Sequence, residues 1–219
     1  MSKNIICILF ITLGLGMKAQ ESFGDKTKLG FIIGGQVNSL QSINMAGSDF
    51  NYTYQDKGAI NVGIKFETKA NEKLSIGYGI SILNSNIERL DNCPNCTENV
   101  NRTNSFNTRH IILPLDVRYF FQQDRIDLFG IAGFTSMLLT KQSGSYVNSY
   151  GNTYEIIDIP GITSFNFGFN VGAGVNYNIS YRGSIGLDLT YYHGLNPLFK
   201  DPNTKLSGVS INPGIYYQF

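Results

Sequence analysis

The longest unbroken alternation in the chain is FNFGFNVGAGVNY, at residues 165–177. Every second residue is apolar or aromatic, which is the period of a β-strand and excludes a helix. Thirteen residues exceed the ~5–6 of an average globular strand and suit a tilted transmembrane strand of ~9–11 residues or more. The stretch therefore predicts a strand with one apolar face that crosses a membrane.

Related runs predict eight strands, at about 28–39, 58–68, 74–84, 109–121, 127–139, 165–177, 184–194 and 206–219. In the run at 127–139 the alternation does not reveal which face is apolar. The connections alternate between short ones, at 69–73, 122–126 and 178–183, and long ones, at 40–57, 85–108, 140–164 and 195–205. Short turns at one end and long loops at the other are typical of an outer-membrane barrel.

A soluble eight-stranded barrel is the alternative, with its apolar face inward and Lys and Glu on its outer face. Here the face opposite the apolar one holds mostly Gly, Asn and Ser, and charged residues make up only 15% of the chain, against ~25% in average soluble domains. We therefore predict an all-β fold, an eight-stranded antiparallel up-and-down transmembrane β-barrel over residues 20–219 with both termini periplasmic. At its end, Ile215, Tyr217 and Phe219 share one face and are predicted to form a C-terminal assembly signal.

Residues 1–19 have the three parts of a secretory signal peptide: Lys3, an apolar run at 5–16, and Ala19. We expect this segment to be cleaved. Its removal takes away Lys3 and Lys18 and leaves 15 basic and 16 acidic residues. A nearly neutral chain offers no electrostatic surface for nucleic acid, so no nucleic-acid partner is expected.

Five stretches together resemble the PorT-like outer-membrane β-barrel family. They are IILPLDVRYFF (111–121), LFGIAGFTSMLL (128–139), FGFNVGAGVNY (167–177), IGLDLTYYHGLN (185–196) and GIYYQF (214–219). The first is similar to an apolar-Pro-Leu-x-x-basic-Tyr-aromatic strand of that family, with Arg118 where Lys is usual. The resemblance implies an outer-membrane location and no known catalytic constellation. No cofactor is expected. Candidate partners are outer-membrane lipids, the barrel-assembly machinery, and a cell-surface or secretion-system protein.

The alternation places five charged side chains inside the predicted barrel: Lys65, Glu67, Asp116, Arg118 and Asp188. The lumen of an eight-stranded barrel is just wide enough to be filled by side chains. Charged groups within it must form ion pairs, because burying an unpaired charge away from water is strongly unfavourable. We predict one connected cluster that plugs the periplasmic half of the lumen and helps to fix strand register. A proton or ion path is the alternative.

The stretch DNCPNC, at residues 91–96, contains Cys93 and Cys96, the only thiols that remain after signal cleavage. A redox dithiol, half of a zinc site and a structural disulfide are the three alternatives. Zinc would need four ligands, and only His110 is near in sequence. An exported chain enters an oxidising compartment, which favours a disulfide. Pro94 and Asn95 suit a β-turn, which would bring the two cysteines close enough to form one. We predict a Cys93–Cys96 disulfide in the second outer loop and no metal site.

Tyr146, Tyr150 and Tyr154 lie among Ser, Gly and Asn in the third predicted outer loop. Antibody loops use this composition for contact surfaces, so the three tyrosines are candidate loop contacts. An interfacial aromatic girdle is the alternative.

No catalytic residue is predicted. His110 and His193 are expected at the outer rim, whereas Ser180 and Ser184 lie toward the other end of the barrel. A non-enzymatic barrel is therefore favoured over an outer-leaflet lipid-modifying enzyme or a small-solute channel. The prolines at 114 and 213 are expected to mark a bulge or a broken ladder.

Overall fold

The computed structural model describes residues 27–42, 51–93, 100–147, 150–156, 161–200 and 204–219. Its strands are β1 (Thr27–Ser42), β2 (Asn51–Lys69), β3 (Leu74–Cys93), β4 (Val100–Gln122), β5 (Ile126–Val147), β6 (Thr153–Ile156), β7 (Phe165–Asn178), β8 (Gly183–Phe199) and β9 (Thr204–Gln218). Within these ranges no helix is long and apolar enough to cross a membrane.

Eight strands close into a ring by antiparallel pairing. Each long strand pairs with the next along the chain, β5 pairs with both β4 and β7, and β9 pairs with β1. The short β6 pairs only with the far end of β5 and stands outside the ring. The predicted eight-stranded antiparallel barrel is confirmed. We call the end with the short turns at 70–73, 123–125 and 179–182 the turn end, and the opposite end the loop end.

A belt of apolar side chains faces outward around the ring, and we call it the apolar band. On β4 it runs from Ile111 to Phe121. A tilted strand of this length spans roughly the ~25 Å of an outer-membrane apolar layer. Every ring strand contributes exposed members, among them Phe31, Ile64, Ile80, Val117, Phe134, Val171, Leu187 and Ile215.

The sequence does not indicate which face of β5 points to the lumen, and the burial of its side chains shows this. Asp127, Phe129 and Ile131 are buried in the lumen, whereas Leu128 and Phe134 are exposed on the outside. The lumen at the turn end therefore receives a large aromatic side chain that the alternation alone did not place there.

The predicted bounds of the long loops are wrong, because the strands continue well past the apolar band. β3 reaches Cys93 and β4 begins at Val100, where residues 85–108 were expected to be a loop. Beyond the band the outward face meets water, so the two faces of the strand exchange polarity. On β3 the outward residues change from Ile82 to Asn84, while the inward ones change to Leu83 and Ile87. This reversal interrupts the alternation and makes the strand look as if it ended. We call the projecting part of β2–β5 the extension.

The extension has its own apolar core, which fills the loop end of the lumen. Phe199 packs its ring against Tyr54, with 5.8 Å between ring centroids, and against Phe106, at 5.6 Å. The buried members of this extension core are Ala59, Leu83, Ile87, Phe106, Ile112, Met137, Tyr192, Leu198, Phe199 and Leu206. Burial of these side chains stabilises the projecting strands as it would a soluble domain.

The two strand prolines break the ladder without a bulge. The β3–β4 pairing passes over Pro114 and the β1–β9 pairing passes over Pro213, and neither register shifts there. Each proline keeps its register with its other neighbouring strand. A bulge lies instead on β2 between Asp56 and Ala59, where Gly58 has a φ of 91° that favours glycine.

Candidate functional site

The most distinctive site in the molecule is a group of buried charges in the turn-end half of the lumen. Arg118 is at its centre and is fully buried. Its Nη1 donates to Glu67 Oε2 at 2.8 Å, and its Nη2 donates to Asp188 Oδ2 at 2.5 Å. Its Nε donates to Asp116 Oδ1 at 3.3 Å. One guanidinium thus joins carboxylates from strands β2, β4 and β8.

Lys65 completes the connection from the other side. Its Nζ lies 3.0 Å from Asp116 Oδ2 and 3.1 Å from Asp188 Oδ2. The structure therefore brings all five predicted residues into one network, which we call the charge cluster. It combines two cations with three carboxylates, and every member is at most 7% exposed. Such close, multiply bonded pairing compensates the desolvation that isolated charges would suffer.

Two glycines make room for these side chains. A Cβ at position 77 would lie 2.2 Å from Asp116 Oδ1, and one at position 174 would lie 2.4 Å from the Phe129 ring and 2.8 Å from Asp188 Oδ1. The Arg118 guanidinium in turn lies over the Phe129 ring, 4.7 Å from its centroid. The small residues on the inner face are thus a steric requirement of the cluster.

Between the charge cluster and the extension core lies a cavity of about 80 Å³. Its polar lining includes Asn61, which donates to Asn212 at 3.2 Å, and Thr135, which donates to Asn170 at 3.2 Å. The volume suits several water molecules, each needing ~10–15 Å³ on this measure. Charged side chains occupy the lumen on one side of this cavity, and apolar side chains occupy it on the other.

A second arginine site lies near the loop end, and the sequence analysis missed it. Arg89 donates to Asp91 from Nε at 2.6 Å and from Nη2 at 2.9 Å, and Asn104 donates to the same carboxylate at 2.8 Å. Burial acts to lower the pKa of Arg89, but Asp91 outweighs it and raises that pKa above its ordinary value. The sequence does contain a signal for this site. If the alternation of β3 is continued past Leu83, Arg89 and Asp91 both face the lumen. They are two positions apart, like Asp116 and Arg118 on β4.

Of the two cysteines in the predicted loop disulfide, only Cys93 lies within the described residues. Cys93 ends β3, is fully buried and is disulfide-bonded. Pro94, Asn95 and Cys96 lie outside the described residues, so the Cys93–Cys96 pairing stays a prediction. Contrary to the expected loop position, Asp91 to Cys93 belong to a strand.

Two of the three candidate loop tyrosines brace a hairpin. Tyr146 of β5 and Tyr154 of β6 are cross-strand partners whose rings stack, with centroids 4.9 Å apart. Tyr150 lies in the turn between these strands and is 81% exposed. The hairpin therefore holds one tyrosine outward at its tip.

The expected rim position is wrong for His110. Its side chain points into the lumen, is 3% exposed, and makes no hydrogen bond with the described residues. The inward parity of β4 continues past the band, which places it there. His193 does face outward, where its ring packs at a tilt against Phe169 and stacks against Tyr191.

His193 also contacts a serine that the sequence analysis did not consider. Its Nδ1 lies 2.9 Å from Ser207 Oγ on the neighbouring strand. A nucleophilic serine needs a base that a third group orients. Among the residues the structure describes, no carboxylate forms an ion pair with His193, and no His, Cys, Asp and Glu group could hold a metal.

The three residues of the predicted C-terminal assembly signal lie at the turn end. Ile215, Tyr217 and Phe219 are all exposed on the outer face, and the last two rings meet edge to face. Nothing in this geometry bears on recognition by an assembly machinery, and that role stays a prediction.

A closed ring of antiparallel strands, with an apolar band outside and a charge cluster inside, defines the class: this is a transmembrane β-barrel of the outer membrane. The sequence profile described as "Outer membrane protein beta-barrel domain" matches residues 18–200. The chain belongs to this outer-membrane β-barrel family.

The solved structure of OprG supports that fold. OprG from Pseudomonas aeruginosa is 12% identical, with a TM-score of 0.52 over 90% of this chain and 97% of that one. Ail from Yersinia pestis is 11% identical, with a TM-score of 0.42 over 87% and 99%. The protease OmpT from Escherichia coli is 7% identical, with a TM-score of 0.44 over 90% and 98%. None of the curated proteins compared matches the sequence.

Proposed function

We propose that this chain is a non-enzymatic outer-membrane barrel whose loop end binds another protein at the cell surface. The observation that carries the proposal is the extension core. Strands β2–β5 continue past the apolar band and are packed around buried aromatic and aliphatic side chains. A surface that is already ordered loses less conformational entropy on binding than flexible loops do.

The tyrosine hairpin supports the same role. The stacked pair Tyr146 and Tyr154 supports the turn that exposes Tyr150. Tyrosine supplies rigid amphipathic contact area at low entropic cost, which suits a protein contact. The alternative within this class is that the barrel body joins an envelope or secretion assembly, as the resemblance to PorT-like proteins suggests.

The proposal includes the maturation and orientation expected from the sequence. Residues 1–19 would be removed as a signal peptide, and residues 20–219 would form the barrel, with both termini periplasmic. Ile215, Tyr217 and Phe219 would be read by the barrel-assembly machinery. Orientation is tested separately: a cysteine at position 150 should react with a membrane-impermeant maleimide on intact cells, and one at position 181 should not.

A photo-crosslinking amino acid at position 150 tests the function itself. Position 181 at the turn end, where Tyr181 is 91% exposed, is the matched control. Discrete crosslinked species from 150 alone would support a cell-surface partner. Crosslinks from 181 alone would favour a periplasmic assembly, and crosslinks from neither position would contradict the proposal.

Two other functions are less well supported. A small-solute channel would have to pass both the charge cluster and the extension core, and we expect planar-bilayer recordings to show no conductance. A lipid-modifying enzyme is favoured only by the contact between His193 and Ser207. We expect Ser207→Ala to leave the lipid composition of the outer membrane unchanged.

A further inference from the structure

The outer surface changes character immediately past the apolar band. The strand register places Asn84, Arg109 and Lys141 side by side on β3, β4 and β5. The neighbouring row toward the band is apolar: Val62, Ile82, Ile111 and Leu138. The register between β4 and β5 shifts by one residue between these two rows, at Arg109 and His110. Two residues along a strand span about 7 Å. Arg109 therefore lies one step beyond the lipid-facing Ile111 on β4, with Lys141 directly opposite it on β5, and we call these two residues the cation pair.

The cation pair is unfavourable in isolation. Arg109 and Lys141 are direct cross-strand partners, and both are exposed. Like charges opposite each other destabilise a sheet. Within the described ranges neither takes part in an ion pair, and the nearby Glu88 is engaged by Lys57 at 3.1 Å. Arg109 donates to the side chain of Asn84 at 2.8 Å, which orients its guanidinium without neutralising it.

A groove of about 560 Å³ lies over the cation pair. Its lining includes Asn84, Asn86, Asn107, Arg109 and Lys141, together with Lys57, whose ammonium is paired with Glu88. The volume falls in the range of ligand sites, ~300–1,000 Å³, and far exceeds that of a single ion. Side-chain amides beside two cations suit a ligand that carries both hydroxyl groups and a negative charge.

We propose that the cation pair binds a phosphate group of a phosphorylated glycolipid in the membrane leaflet at the loop end. A phosphate between Arg109 and Lys141 would remove their mutual repulsion. The planar guanidinium matches phosphate oxygens with two parallel hydrogen bonds, and the ammonium adds a second charge. Because the site begins one step past the apolar band, the acyl chains of the same molecule would lie along Ile82 and Ile111.

The inference is independent of the protein partner proposed above, but it requires the loop end to face the leaflet that contains the glycolipid. Binding should be measured on the full mature chain, purified in detergent and stripped of lipid. The probes are diphosphorylated lipid A, the same lipid with both phosphates removed, and inorganic phosphate. The test variant is Arg109→Gln with Lys141→Gln. Lys205→Gln, a loss of charge on β9 across the ring, is the control.

We expect the double variant to bind diphosphorylated lipid A about thirtyfold more weakly, since each cation near a charged lipid surface contributes roughly a fivefold effect. The control should change by less than about twofold, and added salt should weaken wild-type binding. Circular dichroism and thermal unfolding would verify that the variants are folded.

Three results would overturn the proposal. The first is unchanged affinity in the double variant, and the second is equally tight binding of the dephosphorylated lipid. The third is that inorganic phosphate binds as tightly as the lipid, which would indicate an ion site with no role for the membrane. Failure of the photo-crosslinking test at position 150, with lipid binding intact, would contradict the proposed function and leave this site standing.

Discussion

The two ends of the lumen contain the same chemical unit in two environments. At the turn end, Arg118 is two residues from Asp116 on β4 and bonds to it. At the loop end, Arg89 is two residues from Asp91 on β3 and bonds to it as well. Each guanidinium also lies over a phenylalanine ring, at 4.7 Å in the first case and 5.4 Å in the second.

The difference between the two units is the number of charged partners. Among the residues that the structure describes, the Arg118 side chain is 0% exposed and pairs with three carboxylates, whereas the Arg89 side chain is 20% exposed and pairs with the carboxylate of Asp91. Lipid surrounds the barrel at the level of Arg118, so protein groups must satisfy every charge there. Near the loop end, water can also solvate the charged groups. The surroundings of an arginine thus set how many ionic partners it needs.

The largest effect should come from Arg118→Met. The substitution leaves Glu67, Asp116 and Asp188 with only Lys65, and breaking a buried ion pair in this way costs about 3–5 kcal/mol. Urea unfolding of the barrel in phospholipid vesicles would measure the loss. Arg125→Met is the control, because Arg125 is an exposed turn residue that contacts the Tyr177 ring.

A second substitution, which removes a negative charge from the cluster, provides a further test of its contribution to stability. Adding Glu67→Gln to Arg118→Met should recover part of the stability that the single variant loses, because the second substitution removes one uncompensated carboxylate. Equal unfolding midpoints for Arg118→Met and Arg125→Met would show that the cluster does not stabilise the barrel.

Phe199→Ala should have an effect of similar size but confined to the extension. The ring is 1% exposed and packs against Tyr54 and Phe106. Removing a buried phenylalanine costs about 3–5 kcal/mol. Hydrogen exchange should rise at residues 83–93 and stay unchanged at 111–121. If both segments exchange faster together, the extension and the membrane-embedded barrel unfold as one unit.

Much of the architecture could be predicted from the sequence because the membrane imposes one rule on every strand. Within the apolar band, outward residues are apolar, so the alternation alone predicts that Lys65, Arg118 and Asp188 face inward. That parity brought the charges of the cluster to a single lumen. The confirmed fold and the geometry of the cluster rest on the same alternation.

The rest could not be predicted because the rule changes along each strand. Past Ile82 on β3 the outward face meets water, so the apolar residues move to the inner face and the alternation reverses. Strand ends, the inward position of His110 and the Arg89 site all lie beyond that reversal. Phe129 was missed for a different reason: its strand has apolar residues on both faces. The cation pair depends on cross-strand register, which the alternation within one strand does not specify.

Gly174→Ala should have a smaller effect than either of the first two substitutions. The new methyl group would meet the Phe129 ring at 2.4 Å and Asp188 Oδ1 at 2.8 Å. Overpacking of this kind costs about 1–3 kcal/mol. Gly35→Ala is the matched control, since its Cβ would meet only a backbone oxygen at 4.0 Å. Equal stability of the two variants would show that the cluster rearranges freely, against the tight packing described here.

The smallest effect should come from Arg89→Met, which makes the same chemical change as Arg118→Met at the other end of the lumen. Asp91 keeps its hydrogen bond from Asn104 and some contact with water, so we expect a loss of about 1–2 kcal/mol. The loss should appear as faster hydrogen exchange in the extension, with no change in the urea midpoint of the whole barrel. Arg89→Lys should retain part of the stability, because a single ammonium keeps the charge but not the paired hydrogen bonds. If Arg89→Met proved as costly as Arg118→Met, the number of ionic partners would not explain the difference between the two sites.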